Sequence, residues 1–210
     1  MKRYIILFGA LLAVAAMGYA YDGVARLFTD ESGELFNSLS LSARYELLNN
    51  FSKGENVEVV NNLRTTESRI TQLTSDHMVV ATSSARTVEM KLLPKAKGDT
   101  VLAVIETVAT PVKDSRLTFY DMKWNPLEAS KFIKMPEAAD FFLPSVNKEK
   151  RDEMLSMLNF AMIEMAFEGD NLVARCNLED FFLGDDFKFY KPLVTNRIVY
   201  TVKKAKFKRQ

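Results

Sequence analysis

Val101-Leu102-Ala103-Val104-Ile105-Glu106-Thr107-Val108-Ala109 is the stretch that decides the fold class. Alternate residues of an extended chain face opposite ways, so Val101, Ala103 and Ile105 share one face while Leu102, Val104 and Val108 share the other. Apolar residues on both faces predict a central strand covered on each side, here expected to be covered by helices. The neighbouring segments alternate instead. Val57, Val59, Val88, Met90, Leu92, Leu117 and Phe119 each lie one residue from polar neighbours, which is the period of antiparallel sheet. Strands are expected over 56–63, 67–74, 77–83, 86–93, 100–110 and 116–122. The short connections Ser75-Asp76, Ser84-Ala85 and Lys97-Gly98-Asp99 make a meander of hairpins the economical topology.

Outside the meander the period changes. Leu35, Leu39, Ala43, Leu47 and Phe51 recur every four residues, so one apolar helical face runs from Asp30 to Phe51. Thr29 or Asp30 is expected to cap a short first helix, Ser40 a longer second one, and Gly54 to end it. Pro126, Pro136 and Pro144 mark an irregular crossover, and Asn147 a helix carrying Met154, Leu155 and Leu158. A hairpin follows, with Ile163, Met165 and Phe167 facing inward opposite Leu172, Ala174, Cys176 and Leu178. Residues 179–190 read as a short helix or loop, and 194–203 as a final strand. The fold class is therefore α+β: a mainly antiparallel meander with an N-terminal helix pair and a second helix-plus-strands unit. Residues 21–210 are expected to form a single domain, or else one built of two helix-then-meander subunits at about 21–135 and 136–210.

Residues 1–20 are of another kind. Lys2 and Arg3 precede an apolar run from Tyr4 to Met17, too short to cross a bilayer, and Gly18-Tyr19-Ala20 ends it with small residues. This is the pattern of a cleavable secretory signal, with cleavage expected between Ala20 and Tyr21. Tyr21, rather than a cysteine, follows the cut, so a periplasmic or extracellular protein without a lipid anchor is expected. No later segment is apolar for long enough to span a membrane. Cys176 is the only cysteine, so no disulfide can form within the chain. The formal charge of +1 becomes −1 once Lys2 and Arg3 leave, too weak a field to indicate nucleic acid. Lys203, Lys204, Lys206, Lys208 and Arg209 form one local exception, read as a solvated strand end and tail, or else as a contact for a membrane surface or polyanion.

Most catalytic and cofactor chemistry lacks its raw material. The glycines after the signal are never closer than ten residues, so no phosphate-cradling loop can form. His77 is the only histidine, and with a single cysteine it cannot supply a zinc site; no metal or other cofactor is expected. His77 is expected to open a strand as a partly exposed residue, and Cys176 to be a small core residue. Two clusters remain. Glu179, Asp180, Asp185 and Asp186 flank Phe181-Phe182-Leu183-Gly184, and a carboxylate pair can hydrolyse glycosidic bonds; the alternative is an acidic turn whose phenylalanines cover the core. Tyr120 and Trp124, with Arg116 nearby, either present an aromatic surface to a partner or plug the core at a proline-containing corner.

Ser75-Asp76-His77, Val88-Glu89-Met90-Lys91-Leu92-Leu93-Pro94, Val104-Ile105-Glu106-Thr107-Val108, Asp114-Ser115-Arg116-Leu117-Thr118-Phe119-Tyr120, Trp124-Asn125-Pro126-Leu127 and Phe141-Phe142-Leu143-Pro144 together resemble an uncharacterised secreted family of Bacteroidales, a domain of unknown function. The resemblance implies an envelope location and an α+β fold, and it brings no assigned activity. Members often carry cysteines in a loop where this chain has Ala109-Thr110-Pro111-Val112. The expected function is an exported, non-catalytic binding protein with an unknown protein or glycan partner. The alternatives are a carboxylate-dependent enzyme such as a glycan hydrolase, and an accessory subunit of a surface assembly.

Overall fold

Backbone hydrogen bonding joins seven strands in strict sequence order: β1 (Val59–Val60), β2 (Glu67–Leu73), β3 (His77–Ala81), β4 (Arg86–Pro94), β5 (Thr100–Ala109), β6 (Lys113–Tyr120) and β7 (Pro126–Leu127). The computed structural model describes residues 22–31, 35–55, 58–60, 67–96, 98–109, 112–157, 162–181 and 187–210. All neighbouring pairs are antiparallel, and β4, β5 and β6 pair along almost their whole lengths, as the alternation and short turns dictate. Of the strand expected over 56–63, residues 58–60 are described and Val59–Val60 is strand; 56–57 and 61–63 lie outside the described residues.

A second sheet, ordered β11-β10-β9-β8, is built from β8 (Ile163–Glu168), β9 (Asn171–Cys176), β10 (Arg197–Lys203) and β11 (Lys206–Arg209). β5 is central and apolar on both faces, but the two covers differ. Helices α1 (Gly23–Asp30) and α2 (Leu41–Ser52) supply Val24, Leu27, Phe28, Leu47 and Leu48 to the face bearing Met78, Val80, Val88, Met90, Leu102 and Val104. The opposite face, with Leu93, Val101, Ala103, Ile105, Leu117 and Phe119, packs against Met165, Phe167, Leu172, Ala174, Cys176 and Ile198 of the second sheet. The expectation of helices on both faces is thus corrected: one cover is a sheet. A double-faced strand records that both sides are dry, not what dries them. Each large side chain so buried is worth about 1.5–3 kcal/mol.

The N-terminal region needs a second correction. Ser40 caps α2 as expected, its Oγ accepting from the Ala43 N–H at 3.2 Å, and Gly54 follows the helix at φ 72°. The first helix, however, ends at Asp30 instead of starting there, and residues 35–38 form turns. Gly23, at φ 61°, begins α1 directly against the β2–β3 turn, where the Val24 N–H donates to the Ser75 carbonyl at 3.1 Å. A Cβ on Gly23 would stand 2.0 Å from that carbonyl oxygen. Gly23→Ala is therefore expected to lower stability by about 3 kcal/mol, read as a lower urea midpoint at unchanged slope. A midpoint equal to wild type would show that α1 need not dock there.

The crossover carries β7 and two short 3-10 turns, Ala129–Lys131 and Ala138–Phe141. Helix α3 (Lys148–Met157) follows, with Asn147 Oδ1 accepting from the Lys150 N–H at 2.8 Å and Met154 buried. A one-turn helix, α4 (Phe187–Tyr190), precedes β10. The C-terminal lysines are not a free tail: Lys203 ends β10, and Lys206 and Lys208 belong to β11, which turns back on β10 through Lys204 and Ala205 at φ 52° and 56°. Ala205 is 1% exposed, so its burial holds a turn whose sequence lacks the usual Asn-Gly.

Candidate functional site

Chemistry in this fold gathers in two places, an aromatic turn after β6 and a polar cluster between the sheets. At the first, Tyr120 is paired with Leu102 on β5 and Pro126 on β7. Asp121 then closes a tight turn, its Oδ1 accepting from the Lys123 and Asn125 N–H groups at 2.8 and 3.0 Å and its Oδ2 from the Asn125 side-chain amide at 2.8 Å. The Asn125 side chain first, and those backbone donors next, hold the Asp121 carboxyl below its ordinary range. The turn forces Trp124 to φ 64°, the left-handed region that costs a non-glycine residue about 1–2 kcal/mol. Its indole meets the Tyr120 ring edge-on, with centroids 5.2 Å apart and planes at 61°.

Both rings are half-buried at the rim of the helix-side core, beside Met122 and Leu92. The indole Nε1 is shielded from water and has no hydrogen-bond partner among the described residues. Trp124 is thus neither a fully buried plug nor a free surface ring. Arg116 does not join the pair. It lies four residues earlier on the same strand face, about 13 Å away at strand rise, exposed and opposite Glu106.

The second cluster was not visible as such in the sequence. His77, expected to be partly exposed, is only 5% exposed, because alternation places it with Glu89 and Lys91 on the face that the second sheet covers. Its Nε2 lies 2.6 Å from Glu89 Oε1, and its Nδ1 3.0 Å from Gln72 Nε2. With the ring proton on Nε2, the imidazole donates to Glu89 and accepts from the Gln72 amide, so both nitrogens have protein partners. Glu89 Oε1 also accepts the Phe167 N–H at 3.1 Å. Lys91 lies 3.4 Å from Asp76 Oδ2 and 5.9 Å from the centre of the Phe167 ring. The Thr74 hydroxyl, with the Lys91 charge behind it, holds Asp76 below the usual carboxylate range.

This cluster belongs to a larger device. β8 is an edge strand, and edge N–H groups facing the interior must find acceptors. The N–H groups of Ile163, Met165 and Phe167 donate to Asp114 Oδ1, Ser115 Oγ and Glu89 Oε1 at 3.1, 2.9 and 3.1 Å. Side chains of the first sheet thus substitute for a missing strand. The arrangement joins the two sheets by hydrogen bonds as well as by apolar contact.

Of the acidic cluster, Glu179 and Asp180 sit in the 3-10 turn Leu178–Phe181, both exposed, with Glu179 3.9 Å from Lys191 Nζ. Asp185 and Asp186 lie outside the described residues, as do Ala20 and Tyr21. Cys176 is buried in the inter-sheet core, as its alternation predicts. Among the described residues, no three histidine, cysteine or acidic side chains converge as metal ligands, and no helix is long and apolar enough to cross a membrane.

Comparison with known proteins places this architecture. No curated protein matches the sequence. A solved domain of an uncharacterised protein from Porphyromonas gingivalis W83 superposes with a TM-score of 0.76, over 90% of this chain and 98% of that one, at 22% identity. At that identity the likeness speaks to the fold. Residues 18–207, which contain both sheets but for the last residues of β11, match the family described as "Protein of unknown function (DUF3256)", and the chain belongs to that family.

Proposed function

We propose that this protein is an exported, non-catalytic binding protein of the bacterial cell envelope, periplasmic or extracellular and without a lipid anchor, which presents the Tyr120–Trp124 turn to a protein or glycan partner. One observation carries the reading: a bulky residue is held in a left-handed conformation with its indole N–H unpartnered among the described residues. Locally costly conformations of this kind cluster at functional sites. A half-exposed aromatic pair on a rigid strand end is also what a partner's apolar face packs against. Export is supported by the charged, then apolar, then small-residue pattern of residues 1–20. The non-catalytic reading is supported by His77, whose two nitrogens are both committed to protein groups.

Trp124 is the only tryptophan, so indole emission reports this turn alone. Titration with soluble envelope glycans and with envelope protein fractions is expected to shift that emission saturably, with affinity lowered about tenfold by Tyr120→Ala. The mass of the protein recovered from its host is expected to begin at Tyr21. A mass beginning at Met1 defeats the export reading. Glycan turnover that Asp185→Asn with Asp186→Asn abolishes defeats the non-catalytic one.

A further inference from the structure

We propose that the β10–β11 hairpin is a docking surface for an anionic phospholipid bilayer. Lys203, Lys204, Lys206 and Lys208 are exposed within a stretch of six residues. Lys203 and Lys206 stand directly opposite one another across the two strands, a like-charge pairing that opposes hairpin formation. Lys204, between them, occupies a left-handed turn position that ordinarily selects glycine or asparagine. Two features therefore weaken the hairpin locally, while Ala205 beneath it is fully packed and holds it in place.

The remaining cations of the second sheet behave differently. Arg175 and Arg197 both pair with Glu168, the latter at 2.6 Å, and Arg209 pairs with Asp140 at 3.2 Å. Among the described residues, none of the four hairpin lysines has a carboxylate within ion-pair distance. Every arginine of the sheet thus has a carboxylate partner, Arg175 and Arg197 sharing one, and the cations without a carboxylate are the lysines, of which Lys206 donates instead to the Lys131 carbonyl. That division bears on the partner. Arginine's rigid fork suits a discrete phosphate or carboxylate held in fixed geometry, whereas lysine is a mobile point charge. Lys203, Lys204 and Lys208, mobile point charges at the end of one strand pair, match a fluid plane of headgroups, where about 1 kcal/mol per lysine accumulates without fixed contacts. The apolar side chains Val202 and Phe207 pack inward against the core, so the contact is electrostatic and involves no insertion.

The inference does not depend on the aromatic turn, and the experiment keeps the two apart. Full-length protein, processed by its own host, is co-sedimented with vesicles of phosphatidylglycerol mixed with phosphatidylcholine and with vesicles of phosphatidylcholine alone. Binding is expected only to the anionic vesicles, and to be lost when salt rises from ~0.05 to ~0.5 M. Lys203→Gln with Lys204→Gln and Lys208→Gln is expected to weaken it about 100-fold. The same three positions as arginine retain binding, and Lys53→Gln, at the end of α2 on the opposite side of the first sheet, leaves it unchanged. Equal partition onto neutral vesicles, an unaltered triple glutamine variant, or preferential capture by soluble heparin would each overturn the proposal, the last by assigning the hairpin to a dissolved polyanion.

Discussion

Glu89→Ala is expected to lower the free energy of unfolding by about 3–5 kcal/mol, the range for removing one partner from a buried ionic cluster. Glu89 is 7% exposed and serves two donors through one oxygen, His77 Nε2 and the Phe167 N–H. Alanine leaves both without an acceptor in a region that water does not reach, at about 1–3 kcal/mol for each unsatisfied group. It also removes a negative charge from the strand face that carries buried Lys91. Glu89→Gln separates the contributions: it keeps the acceptor oxygen that both donors share while losing the charge, and is expected to cost roughly half as much. Urea denaturation measures both, and amide exchange at Phe167 should accelerate in the alanine variant before exchange on β5 does. An alanine variant within ~1 kcal/mol of wild type would mean that the cluster contributes little to joining the sheets.

Arg44→Met should be comparably severe, at about 3–5 kcal/mol, although the residue lies on the opposite side of the first sheet. The Arg44 guanidinium is buried at 6% exposure and collects main-chain carbonyls from the end of α1 and the segment after it: Phe28 at 3.1 Å, Glu31, Phe36 at 3.4 Å and Leu39 at 3.2 Å. It pairs with the Glu31 carboxylate at 3.5 Å and lies 5.4 Å from the centre of the Phe36 ring. Burial pulls its pKa downward, with Glu31 opposing that pull. Methionine fills the volume but satisfies none of those carbonyls, and Arg44→Lys, with a single nitrogen, can serve only a few. The expected order of urea midpoints is wild type, lysine, methionine. A methionine variant as stable as wild type would show that solvent takes over the carbonyls, and that α1 and α2 rest on apolar packing alone.

These two residues show where sequence reading stops. The strands around β5, the Ser40 cap and the burial of Cys176 were legible because each follows from period or from a local hydrogen bond. Arg44 was not, since within a helical pattern it reads as another polar position; its partners are carbonyls of a loop whose path no periodicity encodes. His77, Glu89 and Lys91 alternate correctly with apolar neighbours, and so read as the wet face of a half-covered strand. They become interior only because a sheet formed some 80 residues later lies on them. β11 was hidden for the opposite reason: Lys203-Lys204-Ala205-Lys206 carries none of the usual turn chemistry, so the hairpin is imposed by the burial of Ala205. At the aromatic turn, Asp121 and Asn125 were a readable signal, being the residue types whose side chains close turns onto the backbone. The distance from Arg116 to the pair also follows from strand rise alone.

The side-chain acceptors that receive β8 carry a consequence for how the molecule assembles. Asp114, Ser115 and Glu89 precede their partners by 49, 50 and 78 residues, and all three belong to strands of the first sheet. The later hairpin has its own ladder, but its outer edge finds acceptors only where the earlier strands are already in place, so docking of the second layer depends on the first. A lesion in the template is inherited by everything laid upon it, whereas a lesion in the overlying sheet can leave its foundation standing.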